Sequence, residues 1–385
     1  MQGIYEELAA LHAKSGVDAT LDRLIAELRS EKRYHELFEA LKMRVRRTLD
    51  LPMLYSDTGD QLSPQKRLQL EEGLIEACRE VGTQLLSEGR LRDGWIYLRP
   101  VGDRAEAAKL LAKIPVDEDN LEEMIEVLLR EGVDPARGFQ LVLENYGTCN
   151  AITTFDSEIA RHDKAVQRAA ASLLVRKLHE DLIANVRADI ARQQTGHPTE
   201  STLAGIVAER DWLFLDNSYH VDTTHLASTI RAARLLNNPD ELRLALDLTA
   251  YGRCLAKQFQ YPGDEPFLDQ YTAGALWFQA LLGENVDAAL EYFRQKAESC
   301  DPKYTGSLPA EVYVELLTRL ERYDDAIAAS IKYLPADLPR MGVCPSLLEL
   351  AELSGHYHKV LQHTRDQQDL LAFTAALVKA KKNAV

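Results

Sequence analysis

His179 falls within a stripe of Val175, Leu182, Ile183, Val186 and Ile190, spaced to share one face of a helix, so the sequence places an imidazole among apolar side chains. A histidine there must find a partner or stay neutral. Some 40 residues later His220, Asp222 and His225 lie within six positions of one another. Two imidazoles and a carboxylate are a sensible ligand set for a divalent metal such as zinc or iron, and His179 or Asp156 would complete the shell. In that arrangement a metal would polarise a substrate oxygen or activate water. Asn150 and Tyr219 would contribute to ligand binding, with Arg176 or Arg187, one or two turns from His179, available for an anionic group. The same residues have structural readings: His179 as a core histidine bonded to a backbone carbonyl, Asp222 as the N-cap of the following helix, and His220 and His225 as loop histidines.

The elements that must position these side chains form a central region. A long helix is expected over about 157 to 194, capped by Asp156 or Ser157 and ended by Thr195-Gly196-His197-Pro198. Before it lies the polar stretch Asn145 to Asp156, poor in helix formers. After it come a helix near 200 to 212, the polar segment Asp216 to His225, and a helix with Leu226, Ile230 and Ala233 on one face. Irregular segments on a rigid frame are where binding residues collect.

Outside this region a turn pattern recurs. Gly89, Glu284, Glu321 and Gly355 are each followed at two positions by an apolar residue (Leu91, Val286, Tyr323, Tyr357) and at five by a small or apolar one (Gly94, Ala289, Ala326, Val360). Lys32, Tyr34 and Leu37 repeat the spacing. The last two turns are 34 residues apart, near the period at which stacked helix hairpins bury their apolar faces.

This pattern resembles the tetratricopeptide repeat over about residues 270 to 380 and more loosely over 25 to 115. Ala289 and Ala326 occupy its small position, Tyr323 and Tyr357 its aromatic after the turn, Phe293 its large residue one turn on, and Pro335 or Pro339 its closing proline. The resemblance implies an α-solenoid of antiparallel hairpins that binds a protein, peptide or small ligand in a concave groove, without chemistry of its own. The sequence thus supports a binding scaffold, with a metal-dependent enzyme as the alternative. Three regions are expected: N-terminal hairpins over 1–130, the central helical region over 131–235, and the repeat-like region over 236–385.

Composition agrees with an all-α chain. The 385 residues are 46% hydrophobic, with only 20 Gly and 14 Pro, and few runs alternate as a half-buried strand would. A net charge of −15 opposes a phosphate backbone, so nucleic acid is not an expected partner. The cluster Lys42 to Arg47 reads as a solvated helix face near a helix C-terminus. The start of the chain lacks the basic and apolar runs of a signal peptide, and no stretch is apolar enough for a membrane span. Five scattered cysteines without a Cys-x-x-Cys pair suit reduced thiols. A cytoplasmic protein is expected.

Overall fold

The computed structural model describes residues 2–54, 61–193, 198–263, 265–335 and 338–382. Helix accounts for 75% of the described residues, and no strand occurs among them. No helix among them is long and apolar enough to cross a membrane. The chain divides into two compact units, Met1–Tyr146 and Gly147–Val385. The boundary falls inside the expected central region, 131–235, while the expected repeat-like region, 236–385, lies within the second unit.

In the first unit α1 (Gln2–Ser30) turns at Gly16 and is followed by α2 (Tyr34–Thr48), α3 (Pro64–Ser87), α4 (Leu91–Leu98), α5 (Arg104–Leu111) and α6 (Leu121–Ile125), which runs on as a π-helical turn over Glu126–Arg130. Consecutive helices pack in the order α1 on α2, α2 on α3 and α3 on α4. The α3–α4 crossing is close because Gly82 and Gly94 face each other there: a Cβ on Gly94 would lie 2.7 Å from the Leu86 Cδ2. The basic cluster on α2 is less solvated than its composition suggests. Arg46 is buried and donates from Nε to the Pro52 carbonyl at 2.6 Å, tying the helix end to the chain that leaves it.

α7 (Pro135–Ser157) turns at Gly147 (φ 78), where the units divide. The second unit continues with α8 (Lys164–Gln193), α9 (Leu203–Val207), α10 (Thr223–Ala233), α11 (Pro239–Cys254), α12 (Gln270–Leu281) and α13 (Val286–Ser299). It ends with α14 (Pro302–Thr305), α15 (Leu308–Arg319), α16 (Tyr323–Tyr333), α17 (Leu347–Ser354), α18 (His358–Asp366) and α19 (Leu370–Lys382). α8 packs on α10 and α11, α11 on α12, and pairing then continues from α12 through α13, α15, α16 and α17, with α18 and α19 packed together after it.

Two expectations are corrected here. Asn145 to Asp156 is helical, because Ala151 and Phe155 bury on one face and packing overrides weak propensity. The long helix starts later than expected, and its first N–H groups, those of Ala165 and Val166, bond to Asp163 rather than to Asp156 or Ser157. Residues 194–197, expected to end it, lie outside the described residues.

Four of the five recurrent turns share one local structure, with the left-handed residue at Gly283 rather than Glu284; at Gly355 (φ 72) the next N–H, that of His356, bonds instead to the Ser354 hydroxyl. Lys32, Gly89, Gly283 and Glu321 have φ between 56° and 78°, and the next residue's N–H reaches back five positions: Arg33 to Leu28, Arg90 to Leu85, Glu284 to Gln279 and Arg322 to Leu317, at 2.8–3.0 Å. This closure satisfies carbonyls a helix end would leave unpaired and favours glycine at the left-handed position. Lys32 and Glu321 adopt it without that advantage. Ala289 and Ala326, at the small position after two of these turns, are fully buried.

Candidate functional site

The sequence-predicted histidines lie in the second unit, where the side chains of His179 and His220 are engaged and His225 bonds only through its backbone N–H. His179 Nε2 lies 2.7 Å from Asp247 Oδ2, a carboxylate in place of the expected backbone carbonyl. Asp247, on α11, also accepts the N–H groups of Leu203 (2.6 Å) and Ala204 (2.5 Å) at the start of α9. One buried carboxylate thereby joins α8, α9 and α11, and its charge is met by three donors.

One turn along α11, Tyr251 accepts the His220 backbone N–H at 2.8 Å and lies 3.0 Å from His220 Nδ1, while His220 Nε2 lies 3.2 Å from Asp189 on α8. A tyrosine that accepts from the backbone has its proton to give to Nδ1, which puts the ring proton on Nε2 facing Asp189. Burial works against the Asp189 charge, but hydrogen bonds from His220 and Gln193 hold its carboxyl below the ordinary range. Burial also pushes the Tyr251 hydroxyl well above the usual tyrosine range.

These residues do not assemble as a metal set. Both ring nitrogens of His220 are taken, and Asp222 caps α10 by accepting the N–H groups of Thr224 (2.8 Å) and His225 (3.4 Å). Asp189, the partner of His220, is ten residues from His179 along α8, roughly 15 Å at the helical rise. Among the described residues no three or more His, Cys, Asp or Glu side chains are grouped to hold a metal ion. Asp156 is exposed and pairs with Arg231 at 2.9 Å. The proposed ligand-binding residues are dispersed too. Arg176 pairs with Glu241 at 3.0 Å, Arg187 donates to the Glu200 carbonyl at 3.1 Å, Tyr219 packs on Phe259, and Asn150 is exposed on α7.

The feature that could receive a ligand is elsewhere in the unit. A cavity of about 1330 Å³ is lined by the start of α8, the α10–α11 connection, α12, α15, the Arg340–Ser346 segment and α17, with a smaller share from α16. α15 supplies its floor. Glu311, Glu315 and Arg319 recur every four residues and so share a face. Fully buried Glu311 accepts the Met341 and Val343 N–H groups at 2.7 and 2.6 Å, fixing the wall segment. Burial opposes its charge, but those bonds and the Ser307 hydroxyl hold its carboxyl below the usual glutamate range.

Arg319 donates to the Arg234 and Leu236 carbonyls and, at 2.7 Å, to Asn237 Oδ1, with its guanidinium 5.7 Å from the centre of the Trp277 ring. It binds the carbonyls that α10 leaves unpaired, and burial lowers its pKa to about 10. Glu315 is different: burial raises its pKa, and the nearby charges of Arg319, Lys164 and Arg168 only partly offset this. Lys164 and Arg168, one turn apart on α8, form no ion pair among the described residues.

Of the cavity's charged residues only Glu321 stood out in the sequence, and as a turn residue. The four-residue recurrence of Glu311, Glu315 and Arg319 among the apolar residues of α15 was the available signal, since it puts charge on a face that packs inward.

No protein-family model matches the chain, and no curated protein or solved structure is significantly similar to it. The functional reading rests on the geometry alone.

Proposed function

We propose that the protein is a helical-repeat binding scaffold whose second unit holds a protein or peptide segment in the cavity walled by α12, α15 and α17. The observation that carries this reading is which helices face the cavity. In the pairs α12/α13, α15/α16 and α17/α18, the first helix of each lines it, α13 and α18 do not, and α16 contributes Tyr323 and Ser330. An inner layer of first helices and an outer layer of second helices is the arrangement that a solenoid of tetratricopeptide-like hairpins uses to form a concave groove.

The size of the cavity agrees, because small-molecule sites usually enclose about 300–1000 Å³ and this one is larger. The alternative, a metal-dependent enzyme centred on His179, His220, Asp222 and His225, has less support. The carboxylates and the hydroxyl that hold His179 and His220 serve to join helices.

The test is to screen the intact protein against a peptide library by fluorescence anisotropy and repeat the measurement with Thr318→Trp, which projects an indole into the cavity. Peptides that bind the wild type should bind this variant about tenfold or more weakly, as expected for a blocked pocket. The reading fails if no peptide binds, or if Thr318→Trp binds as the wild type does.

A further inference from the structure

Most charged groups of the cavity are committed to the fold. Glu311 holds the wall segment, Glu349 is bound by Ser346 in a capping box, Arg319 clasps backbone carbonyls, and Arg340 donates to the Leu334 carbonyl at 2.6 Å. Lys164, Arg168 and Glu315 have no hydrogen bond or ion pair among the described residues. The Trp277 indole N–H, buried in the same wall, lacks an acceptor among them as well. Counting all the charged residues that line it, five cations (Lys164, Arg168, Arg234, Arg319 and Arg340) face four carboxyls (Glu311, Glu315, Glu321 and Glu349), so the cavity has donors in excess. A ligand that supplies oxyanion acceptors would complement it.

We propose that the groove captures an acidic peptide segment, one carboxylate of which is held by Lys164 and Arg168 while Glu315 receives it as the neutral acid, so that docking takes up a proton. This rests on the groove reading above and adds the chemistry of the occupant. A second carboxylate beside an ionised Glu315 would be repelled, whereas a protonated Glu315 donates a hydrogen bond to it. Burial already favours that neutral form.

The other titratable groups facing Glu315 are poorly placed to produce the same pH response. From the wall segment and α17, the Cys344 thiol is pushed up to about 12 by burial, and Glu349 is held low by the Ser346 backbone N–H and hydroxyl. On α15 itself Glu311 is held low by its hydrogen bonds and Arg319 stays charged at about 10. Lys164, Arg168, Arg234, Arg340, Glu321 and Tyr323 complete the charged and phenolic lining, and no histidine lines the cavity.

The experiment compares a fluorescein-labelled peptide rich in Glu and Leu with its Gln counterpart, by anisotropy from about pH 5.5 to 8, where the peptide's own carboxylates stay ionised. Wild type, Glu315→Gln, the double variant Lys164→Met/Arg168→Met and Thr318→Trp are measured, each checked by thermal unfolding. The acidic peptide should bind about tenfold more tightly than its Gln form, and the double variant should abolish that preference. Wild-type affinity should rise as pH falls. Glu315→Gln, which mimics the neutral acid, should bind tightly throughout with the slope gone. Equal binding of the two peptides, an unchanged preference in the double variant, or a pH slope that survives in Glu315→Gln overturns the proposal. If both peptides bind equally and Thr318→Trp weakens both, the groove reading stands without it. If Thr318→Trp changes neither, or neither peptide binds, that reading loses its support as well.

Discussion

Gly94 faces the Gly82 carbonyl across the α3–α4 crossing so closely that a Cβ on Gly94 would sit 3.0 Å from that oxygen and 2.7 Å from the Leu86 Cδ2. Leu86 is itself buried and has little room to move. Gly94→Ala in a helix would ordinarily gain about 1 kcal/mol from propensity. Here overpacking, about 1–3 kcal/mol, should win, and the variant should unfold at lower urea concentration than the wild type. A variant as stable as the wild type would mean the two helices are farther apart than described.

The Asp247 carboxylate should matter to stability more than to any chemistry. Asp247→Ala leaves the His179 ring N–H and the Leu203 and Ala204 backbone N–H groups without their acceptor. Each buried donor left unpaired costs about 1–3 kcal/mol, so a loss of several kcal/mol is expected in chemical denaturation. Asp247→Asn, which keeps one acceptor oxygen, should lose less. Were Asp247→Ala to unfold with the wild type, the view of this cluster as a structural joint would be wrong.

How far the sequence revealed this structure depended on how local each determinant is. The boundaries near Gly16, Thr48, Ser87 and Leu98 follow from Gly and Pro placement and from apolar periodicity, all contained within a few residues. Asp222 as the α10 cap was legible for the same reason. The helical state of Asn145 to Asp156 was not, because it follows from burial of Ala151 and Phe155 against distant parts of the chain. Nor was the partner of His179, which lies 68 residues away, or the burial of Arg46 in a cluster that looks solvated. The cavity is the extreme case. Lys164 and Glu315 meet only through the packing of the second unit, so no spacing in the sequence announces them.

Ala289 and Ala326 follow the left-handed turns at Gly283 and Glu321 and are fully buried on α13 and α16. Their burial leaves no space for a larger group. Ala289→Trp and Ala326→Trp should each destabilise the fold by about 1–3 kcal/mol or more, read as a lower midpoint in urea. If both melted with the wild type, the small position would not be a close helix contact, and the hairpin register would have to be redrawn.

Glu311 links the stability of the cavity wall to pH. Its carboxyl titrates below the ordinary glutamate value of 4.5 because the Met341 and Val343 N–H groups and the Ser307 hydroxyl favour its charged form more than burial disfavours it. A depressed folded value means that the stabilisation is complete above the unfolded value and disappears as pH falls through the folded one. Glu311→Gln retains a single acceptor oxygen, so one buried N–H loses its partner, and unfolding at pH 7 should show a loss of about 1–3 kcal/mol. In acid the wild type forfeits the same interaction. The stability gap between wild type and Glu311→Gln should therefore narrow steadily below about pH 4.5. A gap that stays constant from pH 7 to pH 3 would show that the Glu311 charge does not hold the Arg340–Ser346 segment in place.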